Sequence, residues 1–173
     1  MSPGSGARPA VLVRPATDDD LPSIARLHTA SWRSAYVGML SDEYLAEVDR
    51  RHGRQWLMMP AGSITLVAVE NGIVVGFACV VGGEPGLGDR LLDNLHVHPT
   101  ARCAGVGGVL LARVRALAAA ACPGGRLYLW VFEANERGRR FYRREGGVEA
   151  ETRVEVLAPA TVVLERRIWW QLP

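Results

Sequence analysis

The stretch PTARCAGVGG, Pro99 to Gly108, lies between an apolar-alternating run, RLLDNLHVH, and a run that reads as a helix, VLLARVRALAAAAC. A tight glycine turn at such a junction leaves several backbone amides unpaired at the positive end of a helix dipole, an arrangement suited to phosphate. Glycine at Gly105 and Gly107 permits positive φ and removes the Cβ atoms that would hold an anion's oxygens off the amides. An empty tight turn has the same letters. A dinucleotide fingerprint is disfavoured, because it needs glycine where Leu110 stands. A P-loop fails for want of lysine: all 20 Lys+Arg residues are arginine. Schiff-base and lysine general-base chemistry are excluded with it.

The titratable groups nearest the turn belong to the preceding strand. Side chains alternate along a strand, which puts Leu91, Asp93, Leu95 and Val97 on one face and Leu92, Asn94 and His96 on the other. Asp93 is a carboxylate on the first face, and its plain reading is strand-end capping or pairing to an arginine. His96 and His98 read as structural or exposed.

These groups need elements to position them. VLVR reads as a strand from Val11, and Thr17 and Asp20 are spaced as a capping box before an amphipathic helix carrying Leu21, Ile24, Leu27 and His28. SDEYLAEV repeats the cap-then-helix pattern from Ser41. ITLVAVENGIVVGFACVV is a hairpin turned at Asn71-Gly72, the pair that a type I′ turn prefers. After the helix that follows the glycine turn come a strand, RLYLWVF, a short basic helix, NERGRRFYRREGG, and two strands, VEAETRVEVL and TVVLERRIW, around Ala158-Pro159. Mixed order predicts an α/β or α+β domain on one central, partly antiparallel sheet.

The 173 residues fit one domain over residues 11–173, preceded by a small, polar, Gly/Pro-rich lead-in over residues 1–10 that reads as disordered. A net charge of +2 argues against nucleic acid as a partner, and no apolar run reaches membrane-span length. With no secretory signal apparent, a soluble, cytoplasmic protein is expected. Cys79, Cys103 and Cys122 lack metal or redox spacing and read as three reduced, mostly buried thiols. Ile168-Trp169-Trp170 is the expected apolar surface for a homodimer.

Arg102, Gly105 and Gly107 form RxxGxG, which resembles the acyl-CoA-binding signature of the GNAT superfamily of N-acyltransferases. NERGRRFYRREGG, with Asn135 and then Phe141-Tyr142, resembles that family's next signature. RPATDDDLPSIARLH is similar to its usual opening, and element order agrees from about Val11 to Ile168.

The resemblance implies a GNAT fold: a single mixed, mostly antiparallel sheet of about seven strands, helices on both faces, and one strand splayed at the CoA site. It implies acetyl-CoA as acyl donor and no metal. The backbone of Leu95, His96 and Val97 would pair with the pantetheine arm. The amides of Cys103, Ala104, Gly105, Val106, Gly107 and Gly108 would hold the pyrophosphate, Arg102 would belong to the cofactor-binding signature, and Asn135 would hydrogen-bond the cofactor arm. Tyr142 would contact the cofactor and give a proton to the leaving thiolate, and Asp93 would act as base directly or through water. Trp32, Tyr36 and Trp130 would line the acceptor pocket. The implied activity is acetyl transfer to the primary amine of a small molecule. A catalytically idle acyl-CoA-binding module and a protein or peptide amino-group acetyltransferase stand as alternatives. Trp130 stands where some peptide-acetylating members carry glutamate, and REGGV where the family typically has Gly-Phe.

Overall fold

The computed structural model describes residues 11–83, 88–158 and 161–173. The lead-in over residues 1–10, residues 84–87 of the glycine-rich stretch after Gly82, and residues 159–160 lie outside them. The chain runs β1 (Leu12–Pro15), α1 (Leu21–Tyr36), α2 (Asp42–Gln55), β2 (Ile64–Glu70), β3 (Ile73–Gly82), β4 (Arg90–Val97), α3 (Val106–Ala121), β5 (Arg126–Phe132), α4 (Glu136–Arg144), β6 (Val148–Ala158) and β7 (Thr161–Gln171). One seven-stranded sheet carries the strands in the order β1-β2-β3-β4-β5-β7-β6. Its neighbours are antiparallel except β4 and β5, which are parallel. This is the partly antiparallel sheet that the element order predicts, and the mixed, mostly antiparallel one that the resemblance implies.

Alternation in the central strands sorts side chains to two helical layers. Val67, Phe77 and Cys79 meet Ile24 and Leu27 of α1 on one face. Leu66, Ala68, Ala78 and Leu92 meet Leu110, Leu111 and Val114 of α3 on the other, where Phe141 and Tyr142 of α4 also pack. The β2–β3 turn has Asn71 at φ 51° and Gly72 at φ 78°, the positive pair of a type I′ turn. The capping box precedes a three-residue 3-10 turn, Asp18–Asp20, that leads into α1. The Asp20 carboxylate accepts from the Thr17 amide at 2.8 Å and from Arg14 at 2.7 and 2.9 Å. The bond from Arg14 is the main reason its pKa falls to about 2.

Two expectations change. The β3–β4 register passes from Cys79↔Asn94 to Val80↔Leu92 and so skips Asp93. This β-bulge interrupts strict alternation. Leu92 therefore packs with Leu95 and Val97 against the α3 side rather than sharing a face with Asn94 and His96. The second correction concerns Ile168-Trp169-Trp170. β7 is an inner strand between β5 and β6, and Ile168 and Trp170 are in the core, so the triplet is not an exposed apolar surface.

Candidate active site

β4 and β5 part company early. Their register holds at Arg90↔Leu127 and Leu91↔Tyr128, whereas β4 stays on β3 as far as Val97↔Gly76. Beyond Leu91 the β5-facing edge of β4 thus looks into a cleft of about 1770 Å3, which Leu95, His96 and Val97 line. A pocket for one small ligand is typically about 300–1,000 Å3, so this cleft has room for an extended ligand and a second reactant. An open strand edge supplies backbone hydrogen bonds to a ligand that lies alongside it.

The head of α3 closes one end. Gly105 caps the helix at φ +81°, and the first bond of the helix runs from the Val109 amide to the Gly105 carbonyl at 3.1 Å. Amides ahead of Val109 have no partner within the helix. Cys103, also at positive φ (66°), Gly105, Val106, Gly107 and Gly108 line the cleft, and Ala104 packs against the core. Gly107 has a packing reason as well, because a Cβ there would stand 3.3 Å from the Phe141 ring. Arg102 lines the cleft too, but its guanidinium is engaged by protein. It donates to the Val97 carbonyl (3.4 Å), Ser34 Oγ (2.8 Å), and the Ser31 carbonyl and Oγ (3.3 and 3.2 Å). Arg102 is therefore a strut between α1 and the glycine turn.

Two proton-carrying groups reach the same space. The bulge turns Asp93 to the cleft, and the Asn94 amide donates to one of its oxygens at 2.6 Å. Its carboxylate meets solvent through the cleft but has protein around its other sides. That burial raises its pKa above the ordinary aspartate value, against the opposing pull of the Asn94 bond. Tyr142 also lines the cleft, with its ring edge-on to Trp170 at 6.0 Å. Burial raises the pKa of its phenol, which stays protonated at neutral pH. Burial lifts the Tyr36 pKa to about 12, and Asn135 caps α4 by accepting from the Gly138 amide at 2.9 Å. It lines the cleft while doing so.

On the α1–α2 side lie three imidazoles that no sequence spacing groups. His28 stacks on His52 at 3.5 Å between ring centroids and lies 4.5 Å from His96. Trp56 Nε1 donates to His28 Nδ1 at 3.0 Å. Indole only donates, so His28 Nδ1 is unprotonated and the neutral ring carries its proton on Nε2. His96 Nδ1 is 3.1 Å from Ser31 Oγ. Burial, and then the neighbouring His52 and Arg102, lowers the His96 pKa to about 3, and burial puts His28 lower still. Both rings are neutral at pH 7.

Between α1, α2 and the tip of β5, Trp32 and Tyr36 pack edge-on at 4.7 Å and approach Phe132 at 6.0 and 4.6 Å. Glu165 of β7, absent from the sequence-derived candidates, borders this aromatic box. It is buried, accepts from Arg153 Nε at 2.8 Å, and has its pKa raised by burial. Trp130 lines the cleft with the Arg153 guanidinium 4.2 Å over its ring, so one face already holds a cation.

Residues 22–147 match the family profile described as "Acetyltransferase (GNAT) family". The chain belongs to the GNAT acetyltransferase family. As a GNAT protein it is an acetyl-CoA-dependent transferase, and its fold has close parallels. The GCN5-related N-acetyltransferase of Rhodopseudomonas palustris superposes with a TM-score of 0.77 at 23% identity, covering 96% of this chain and 97% of that one. The PaiA N-acetyltransferase of Thermoplasma acidophilum, in complex with coenzyme A, gives 0.69 at 19% identity over 90% and 98%. YncA of Salmonella typhimurium, with its cofactor acetyl-CoA, gives 0.69 at 20% identity over 95% and 95%. In sequence, the chain is 27% identical to the Mycobacterium tuberculosis protein named "Probable N-acetyltransferase", over 78% of each.

The residues of this GNAT chain fit such a donor: a strand edge open to the cleft from Leu92 to Val97, unpaired amides at the head of a 16-residue helix, and a cleft joining the two. Among the described residues, no group of three or more His, Cys, Asp or Glu could hold a metal ion. Among the same residues, no helix is long and apolar enough to cross a membrane.

Proposed function

We propose that the protein transfers the acetyl group of acetyl-CoA directly to the primary amine of a small molecule in the cytoplasm. The observation that carries this reading is the opening of β4 from β5 in front of the α3 amides, with Asp93 and Tyr142 in one cleft. Three free thiols among the described residues support a reducing compartment.

Bound acetyl-CoA supplies an activated acyl group on a thiol leaving group. Backbone groups of Leu95, His96 and Val97 hold its arm, and an amide near Leu95 polarises the acyl carbonyl. Amides from Cys103 to Gly108 take the pyrophosphate. Asp93 removes the proton from an amine that arrives as ammonium, and its raised pKa brings it closer to that task. Tyr142, protonated throughout the neutral range, donates to the departing sulfur. Trp32 and Tyr36, joined by Phe132 and Glu165, form the acceptor side, where aromatic faces and a carboxylate favour an amine with apolar or cationic character.

A panel of small amines with acetyl-CoA, read out by free-thiol release, tests the reading. Release that depends on an amine and falls with Tyr142→Phe is expected. Amine-independent release only would overturn amine acetylation, and no release with saturating acetyl-CoA bound would leave an idle acyl-CoA-binding module.

A further inference from the structure

β6 forms one edge of the sheet, and its central residues have an unusual pattern. Across the β6–β7 hairpin Val154 faces Leu164 and Val156 faces Val162. All four side chains lie on one face and are 53–63% exposed. That leaves an apolar ladder on the order of 400 Å2, the size of the largest patch on a typical monomer and one that commonly marks an interaction site. The other face of the same segment presents Arg153 and Glu155, 3.6 Å apart and 44% and 38% exposed. Register with β7 is regular from Thr152 to Val156 and shifts on either side, so the straight part of the edge is centred on Val154.

We propose that β6 pairs antiparallel with β6 of a second copy of this chain about a two-fold axis at Val154. In that register the residue k places after Val154 meets the one k places before it. Arg153 then faces Glu155 of the partner subunit, and Glu155 faces Arg153 of the partner subunit. Val154 meets Val154 of the partner subunit, and Thr152 meets Val156 of the partner subunit. Two opposite-charge pairs and an apolar centre lie where cross-strand pairs act most strongly. The charge pattern selects this axis. An axis at Arg153 or Glu155 sets like charges on each other, as does parallel in-register pairing. A one-residue slip turns the apolar face of one copy onto the charged face of the other.

Such an interface is isologous and joins two sheets through a free edge. The apolar ladder supplies about half of the ~800 Å2 per partner of a standard interface, and the paired edge and charged face extend it. The same contact reaches the cleft, because Arg153 holds Glu165 at 2.8 Å.

Sedimentation of the full chain at about 10–100 μM and cross-linking of two variants that each add one cysteine test the proposal. A dimer is expected, with Val154→Glu, at an exposed position, weakening it about tenfold or more by opposing two carboxylates. Val154→Cys should form a disulfide-linked dimer under mild oxidant, since directly opposed residues lie about 4.5–5.5 Å apart between Cα atoms. Val156→Cys, on the same face but offset from its own copy by four residues, should link no more than the unsubstituted chain. A monomer throughout that concentration range, or equal linking of the two variants, overturns the proposal.

Discussion

Lowering the pH from 7.5 to 5 should destabilise this protein through His28 and His96. Free histidine titrates near 6.5, and the unfolded chain takes up a proton at each site as pH falls below that value. The folded chain does not: His96 waits until about 3 and His28 until lower still, both held down chiefly by burial. Between 6.5 and 3 the unfolded state therefore binds more protons, and stability falls as pH falls. At pH 5 the loss is about 1.5 pH units at ~1.36 kcal/mol each, about 2 kcal/mol per imidazole and about 4 for the pair. For a chain of this length that lowers Tm by about 8–16 °C. Asp93 and Glu165, raised by burial, oppose the trend, because the folded state binds their protons first. Asp20, held near 2 by Arg14, contributes only from about pH 4 downward. Comparison with His96→Asn and a His28→Asn/His96→Asn pair cancels these carboxylates. Thermal or urea unfolding at several pH values should show the slope fall by one proton and then by two. An unchanged slope in the double variant refutes the reasoning.

Tyr142→Phe should lower turnover by about 10²-fold or more, as expected for loss of a general acid, with little change in acetyl-CoA affinity by calorimetry. Asp93→Asn should remove the alkaline-rising limb of the kcat/KM profile, whose midpoint in the unsubstituted enzyme should lie above the ordinary aspartate value, as burial dictates. A retained limb would assign the base elsewhere. Gly105→Ala should cost about 1 kcal/mol at φ +81° although nothing lies within 4 Å of the added Cβ. It should lower Tm by a few degrees and raise KM for acetyl-CoA; an unchanged Tm would show that the turn relaxes.

Much of this was legible because local chemistry and fold agree. Asn71-Gly72 needs positive φ twice and gets it, and Gly105 stands where α3 needs a left-handed cap. Other features lie beyond a pattern of letters. Alternation placed Leu92 opposite Leu95, but the bulge that skips Asp93 is set by pairing with Cys79 and Val80, which are distant in sequence. Ile168-Trp169-Trp170 has the letters of an exposed patch, and only the strand order, with β7 between β5 and β6, turns Ile168 and Trp170 into core. RxxGxG marks Arg102 as part of a cofactor signature, and its bonds to Ser31 and Ser34 of α1 carry no local signal. The imidazole cluster joins α1, α2 and β4, and Glu165 reaches the acceptor side from β7; neither carries a local signal.

Calorimetric titration with acetyl-CoA, desulfo-CoA and NAD tests the assignment of the β4–β5 cleft most directly. Binding of acetyl-CoA and desulfo-CoA at one site per chain, with no heat from NAD, is the predicted result. Tight NAD binding without CoA binding would contradict it.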